Sequence, residues 1–308
     1  MVKVLQRCVS RPSLESGLTR RWAIQGLTAV GLMSLGTLHG ARDAQAAVLP
    51  RRRLVIRATD YRFELPATAP SGYTEITLHN RGHEAHHVMF MRLHPGKTLA
   101  EFTAAAKSGD AGALFALADS VGGPGSVDPG QTSRAVVRLA AGRYAVICMV
   151  PNAHDMPHYQ MGMLAPLVVT PSADEGAAPE TEATVDLVDF SFDGLPQKIR
   201  PGRHVWKVIN TGAELHEMVL NRLAPGHSYD EVKAILTAPP KPGSATPVPS
   251  APPPFTSVAG TAPMNSGAVN WVVFDLQPAD YFAICFVPDP KTGAPHFDLG
   301  MIRPFRVA

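Results

Sequence analysis

The chain has 308 residues, 45% hydrophobic and 18% charged, with a formal net charge of +2 at neutral pH. That hydrophobic content supports packed cores and excludes general disorder, and the length suits two ordinary domains and a further segment. With no basic excess, a nucleic-acid partner has no support.

Residues 1–46 have the layout of an export signal. Thr19-Arg20-Arg21-Trp22 supplies a charged start, Ala23 to Leu38 is a mostly apolar run without charge, and Ala44-Gln45-Ala46 fits the A-x-A cleavage rule. The paired arginines resemble a twin-arginine signal. The run is short for a bilayer span and ends in a cleavage site, so no stable membrane span is expected after processing. The expected location is periplasmic or secreted.

Residues 51–171 and 183–308 form two copies of one pattern, joined by a polar linker at 172–182. Asp60-Tyr61-Arg62-Phe63 matches Asp189-Phe190-Ser191-Phe192, and Gly72 to Asn80-Arg81-Gly82 matches Gly202 to Asn210-Thr211-Gly212. Within these blocks Thr74, Ile76 and Leu78 alternate with polar neighbours, as do His204, Trp206 and Val208 more weakly, the period of a half-buried strand. One helical stretch interrupts each copy: Leu99 to Leu117 in the first and Tyr229 to Leu236 in the second. The Pro-rich segment 238–254 predicts an extended surface loop. Ser120-Val121 up to Tyr144 then matches Ser257-Val258 up to Tyr281 without a gap. Short alternating strands bounded by Gly, Pro, Asn and Asp argue for an all-β chain of antiparallel sandwiches.

Each copy ends on the same phrase. Tyr144-Ala-Val-Ile-Cys148 is followed by Pro157-His158 and Gly162-Met163; Tyr281-Phe-Ala-Ile-Cys285 is followed by Pro295-His296 and Gly300-Met301. Aligning the copies adds His86 and His216, each four residues past the glycine of Asn-x-Gly. His86, Val88 and Phe90 share one strand face, as do His216, Met218 and Leu220. The opposite face carries His87 in one copy and Glu217 in the other, and His154 has no counterpart, so neither histidine fits the shared set. Loss of the signal removes Cys8, and Cys148 and Cys285 occupy equivalent interior places, which disfavours a disulfide. A thiolate, two imidazoles and a weak thioether suit copper in both oxidation states. Shared packing alone is the competing explanation. His83, His87, Met89, Met91, Met149, Met156 and Met161 crowd the first copy; they suit an added Cu(I) site or an irregular core.

The Asn-x-Gly…His start, the Tyr-x3-Cys strand end and the following Pro-His-x4-Met resemble the cupredoxin (blue copper protein) family over both copies. The resemblance implies two tandem Greek-key β-sandwich domains, each with a short helical insertion. It implies up to two coppers, held by His86, Cys148, His158 and Met163 and by His216, Cys285, His296 and Met301. The family places its second histidine two to four residues past the cysteine; nine and ten residues intervene here. The implied function is one-electron transfer in the periplasm, with a redox partner protein or a copper donor or acceptor. Cu(I) storage or delivery and a metal-free interaction module are the alternatives. With no His-x-His in the mature chain and no histidine beside either cysteine, a multicopper oxidase is disfavoured and a non-enzymatic role is expected.

Overall fold

The computed structural model describes Pro50, residues 52–238 and residues 254–308. The export signal, and the Pro-rich loop apart from its two end residues, lie outside the described residues. The first half builds β1 (Arg52–Thr59), β2 (Arg62–Glu64), β3 (Thr68–Pro70), β4 (Gly72–Asn80) and β5 (Met89–Leu93). Helices α1 (Leu99–Ser108) and α2 (Ala111–Phe115) follow, then β6 (Ala118–Ser120), β7 (Thr132–Leu139) and β8 (Gly142–Ile147). A 3-10 turn (His158–Met161) and β9 (Leu164–Thr170) complete it. The second half runs β10 (Ala183–Val188), β11 (Ser191–Asp193), β12 (Lys198–Ile199), β13 (Gly202–Asn210) and β14 (His216–Leu223). After α3 (Tyr229–Leu236) come β15 (Phe255–Met264), β16 (Val269–Leu276), β17 (Ala279–Ile284) and β18 (Ile302–Val307).

Each half is a Greek-key β-sandwich. In the first, β4 pairs with β7 and β5 with β8, so the chain changes layer between β4 and β5 and again between β7 and β8. The alternation that the sequence shows sets the core. Leu54, Ile56 and Ala58 from β1 and Ile76 and Leu78 from β4 meet Val88, Phe90, Tyr144 and Val146 across the layers. Val185, Leu187, Trp206 and Val208 meet Met218, Leu220, Tyr281 and Ala283 in the second half. Each inward stripe, Tyr144-x-Val146 and Tyr281-x-Ala283, ends on its cysteine. His204, on the inward-alternating positions of β13, is a satisfied buried histidine bonded to Glu182 and the Arg200 carbonyl.

The expected helix from Leu99 to Leu117 is two helices. Gly109 takes a left-handed φ of 79° that ends α1, and the Asp110 side chain then caps α2 through the Gly112 N–H. In the second half α3 spans the expected Tyr229–Leu236. Among the described residues no helix is long and apolar enough to cross a membrane.

The halves share one sheet of eight strands, in the order β11-β10-β13-β16-β7-β4-β1-β2. At its centre β7 and β16 run antiparallel with Ala135 opposite Val272, residues equivalent in the alignment of the halves. The second layer is bridged in the same way. Residues 120–125 lie along β15, with Pro124 opposite its own equivalent, Thr261. Both junctions are thus centred on matching residues, the signature of an internal twofold relation. Gly125 permits the approach, because a Cβ there would meet the Gly260 carbonyl carbon at 2.5 Å. Val136, Val205, Trp271 and Val273 pack over the shared sheet, and Tyr73 sets its ring edgewise to Trp271.

Asn270 stitches the two layers together. Its Oδ1 accepts the Gly123 N–H and its Nδ2 donates to the Val121 carbonyl, both at 2.8 Å and in a side chain that is fully buried. Asn270→Ala strands two buried backbone groups and is expected to cost ~2–5 kcal/mol. Denaturant unfolding of the variant, compared with wild type, measures that loss.

Candidate metal centres

Each centre begins with the Asn-x-Gly turn. Asn80 accepts the Gly82 N–H on its side-chain oxygen and donates to the Glu84 and Val127 carbonyls, fixing the loop that leads to His86. Asn210 does the same with Gly212, Glu214 and Met264. Gly82 itself lies against the site: a Cβ there would fall 2.3 Å from Asp60 Oδ1 and 2.7 Å from His86 Nε2. Gly212 is placed likewise against Asp189 and His216. A side chain at either glycine would drive apart a histidine and its carboxylate.

The long stretch from cysteine to histidine is a pinched hairpin. Pro151 bridges to Pro157, and Pro288 to Pro295, so the loop leaves the strand end and returns to it. The His158 N–H then donates to the Val150 carbonyl and the Tyr159 N–H to the Cys148 carbonyl. His296 and Phe297 repeat both bonds on Val287 and Cys285. Next the chain turns at Gly162 (φ 105°) or Gly300 (φ 116°), a conformation that favours glycine. The following methionine closes the ring: Cys148 N–H donates to the Met163 carbonyl and Met163 N–H to the His158 carbonyl, as Cys285, Met301 and His296 do. Met163 and Met301 are fully buried in the same cores as the cysteines.

Three donors converge in each half. His86, Cys148 and His158 place their ligand atoms within 4.8 Å of one another, as do His216, Cys285 and His296, all six residues fully buried. In the first group the Nδ1–Nδ1 distance is 3.1 Å, and Cys148 Sγ lies 3.6 Å from His158 Nδ1 and 4.0 Å from His86 Nδ1. A point equidistant from all three lies about 2 Å from each, a length suited to metal–nitrogen and metal–sulfur bonds. In the second group the two Nδ1 atoms are 2.9 Å apart and Cys285 Sγ is 3.5 Å from His296 Nδ1.

The outer nitrogens explain why the inner ones face each other. His86 donates its Nε2–H to Asp60 (3.2 Å) and His158 to Glu84 (2.7 Å). His216 donates to Asp189 (2.8 Å) and His296 to Glu214 (3.2 Å). With each ring proton committed outward, both Nδ1 lone pairs point inward. Two such lone pairs at hydrogen-bond distance in a fully buried site repel, and a cation between them removes the repulsion. The residues present therefore fit a metal ion.

Charge follows the same plan. Burial lowers the pKa of His86, His158 and His296, which keeps the rings neutral as ligands. Burial pushes the Cys148 thiol up to about 12 and raises Cys285 as well. Burial would also raise Asp60, but hydrogen bonds from His83, His86 and Glu84 hold it at about 2. The hydrogen bond from His216 depresses Asp189. Tyr61 (φ 64°) and Phe190 (φ 66°) follow these aspartates in a left-handed conformation that is strained for a bulky residue. Each strained turn carries its ring edge-on to a histidine, at 5.1 Å from His158 and 5.0 Å from His296.

The structure thus gathers His86, Cys148 and His158, and His216, Cys285 and His296, at the two places that the sequence marks. Asp60, Glu84, Asp189 and Glu214 were not anticipated in this role. Their signal is present all the same, since Glu-x-His recurs at 84–86 and 214–216 and an aspartate opens both matched Asp-x-x-Phe blocks. His87 and Glu217 do a different job: each accepts the backbone N–H of the residue after the cysteine, at 2.7 Å from Met149 and 3.1 Å from Phe286. His87 therefore carries its proton on Nδ1 and offers no donor for an added Cu(I) site. Met89 and Met91 are core residues, Met156 and Met161 are exposed, and His154 is exposed on the hairpin. Both cysteines are free.

No family model and no curated protein matches the sequence. Solved structures do. Auracyanin from the photosynthetic bacterium Roseiflexus castenholzii is 20% identical, over 41% of this chain and 94% of its own, with a TM-score of 0.28. A copper nitrite reductase from Nitrosomonas europaea is 14% identical over 83% of this chain and 93% of its own, TM-score 0.24. A blue copper oxidase from the same organism is 13% identical over 83% and 85%, TM-score 0.22. The expectation of a non-enzymatic role is corrected here. It rests on missing His-x-His and His-Cys-His strings, yet the fold assembles two His–Cys–His groups from distant segments, and copper enzymes are among the structures that match most of the chain. Missing strings do not exclude an enzyme.

Proposed function

We propose that this is a copper protein that transfers single electrons through two type 1-like sites. His86, Cys148, His158 and Met163 would hold one ion, and His216, Cys285, His296 and Met301 the other. The observation that carries the reading is the pair of buried triangles whose Nδ1 lone pairs are turned inward by carboxylates. When bound, copper supplies a one-electron couple that a thiolate and two imidazoles support in both states. The protein's part is to keep those donors in place. The Asn-x-Gly turns, the pinched hairpins and the histidine–carboxylate bonds each fix one donor before an ion arrives. Full burial of the six donors supports electron transfer over Cu(I) delivery, which needs ligands that a partner can reach. In this reading residues 1–46 export the chain to the periplasm, 51–171 and 183–308 are its two domains joined by 172–182, and a redox protein is its partner.

Protein loaded with copper is expected to hold two ions per chain and to show an intense visible charge-transfer band. Cys148→Ser and Cys285→Ser should each remove one ion and part of the band, measured by metal analysis with the spectrum. Copper-loaded protein that lacks the band and keeps its metal in both variants would falsify the reading. Glu84→Gln and Glu214→Gln replace an anionic acceptor with a neutral one and should weaken metal affinity by roughly 10–100-fold at the affected site, read by competition with a chelator.

The pH dependence has a definite sign. Cys148 is protonated at neutral pH because its pKa is pushed up to about 12, so each ion bound there displaces one thiol proton. Apparent affinity at that site should therefore rise roughly tenfold per pH unit above neutrality and stop rising near the thiol's pKa. Chelator competition across pH 7 to 9 measures the slope, roughly one proton per ion.

A further inference from the structure

The two cysteines are linked by a continuous buried route across the internal junction. At one end the His87 N–H faces Cys148 Sγ. The next amide, Val88 N–H, donates to the Pro124 carbonyl at 3.0 Å. Gly123, bonded to Pro124, accepts the Ala262 N–H on its carbonyl at 2.9 Å. Thr261, bonded to Ala262, accepts the Met218 N–H on its hydroxyl Oγ1 at 3.0 Å. Glu217, bonded to Met218, donates its N–H to Cys285 Sγ at 3.4 Å. Every residue on the route is buried.

This succession crosses from one half to the other at the bridge between residues 120–125 and β15. It spans three strand spacings, about 14 Å in all, from residues 87–88 through residues 123–124 and β15 to β14. Covalent and hydrogen bonds carry electronic coupling better than van der Waals gaps of the same length, and a buried route keeps that coupling steady. A bulge in the β14–β15 ladder between His216 and Met218 turns the Met218 N–H onto a side chain in place of a carbonyl. Thr261 is therefore the one point on the route where a side chain makes the bridge.

We propose that the bonded segments 87–88, 123–124, 261–262 and 217–218 form an internal conduit, through which an electron held at one His–Cys–His group passes to the other. This inference rests on the copper reading above. The electron that one site loses is the electron the other gains; no bond forms or breaks, and no proton need move along amides and a hydroxyl. The two groups then act as a relay inside one chain, taking an electron at one face and releasing it at the other.

The test uses the full chain loaded with copper and a flash-generated one-electron reductant in substoichiometric amount. Wild type should show bimolecular reduction followed by a phase whose rate does not depend on protein concentration, and Cys148→Ser should lack that phase. Thr261→Val removes the hydroxyl at nearly constant volume and should slow the phase by roughly tenfold, while Thr261→Ser keeps it near the wild-type rate. Copper content, visible spectrum and melting temperature of the Thr261 variants show that sites and fold are intact. With two ions bound, absence of the phase in wild type, or an equal rate in Thr261→Val, overturns the conduit and leaves the copper reading standing. Fewer than two ions per wild-type chain overturns both.

Discussion

Everything at the two centres depends on where four ring protons sit. Asp60, Glu84, Asp189 and Glu214 each take an Nε2–H, and that choice leaves paired Nδ1 lone pairs about a hydrogen-bond length apart in a fully buried site. In a metal-free chain the arrangement is costly, since neither ring can donate to the other without giving up its carboxylate. The surrounding structure must hold it. Backbone turns with only glycine-sized clearance, strained aromatic residues at Tyr61 and Phe190, and hairpins closed at proline bridges all confine the same few atoms. Strain that recurs at matching places in both halves, always beside the histidines, belongs to the site rather than to the fold.

That confinement is possible because the sandwiches are not independent bodies. A lone sandwich would leave β7 or β16 as an exposed edge, a row of unpaired amides. Here the two edges satisfy each other, and residues 120–125 and β15 close the second layer in the same manner. The stretch that leads from helix α2 back to β7 is therefore spent on the partner half, with Asn270 and Asn265 reaching across to its backbone. One consequence is mechanical: a shift at one centre meets a continuous sheet instead of a flexible tether.

Much of this was legible in the sequence, and what was not has physical reasons. The stripes Tyr144-x-Val146-x-Cys148 and Tyr281-x-Ala283-x-Cys285 have the strand period, so burial of each thiol followed from alternation alone. His86 and His216 followed from their fixed distance past Asn-x-Gly. The carboxylates were harder, because an Asp or Glu in a polar turn is ordinarily solvated, and only the pairing with a ring nitrogen gives it a role. The break at Gly109-Asp110 was readable as a helix stop followed by a cap, but the alanine-rich run on either side masked it. The fusion of the sheets left no motif at all. Strand pairing between Ala135 and Val272 is made by backbone, and backbone bonds carry no sequence signature beyond the small, β-branched residues that permit them.

The remaining asymmetry lies one residue past each strand histidine. His87 and Glu217 perform the same mechanical task, accepting the N–H that follows the cysteine, so either residue type satisfies the fold. They differ in charge. Burial holds His87 down at about 3, which makes it a neutral ring under ordinary conditions, while burial pushes Glu217 up to about 7, so that carboxyl gains or loses its charge near neutrality. A fixed neutral dipole beside one thiol and an ionisable acid beside the other give similar donor sets unlike surroundings. A negative charge on Glu217 acts on both thiols, Cys285 and Cys148, and raises each. Two centres built from the same donors thus differ in the group that accepts the N–H after each cysteine, a neutral ring at one and an acid at the other.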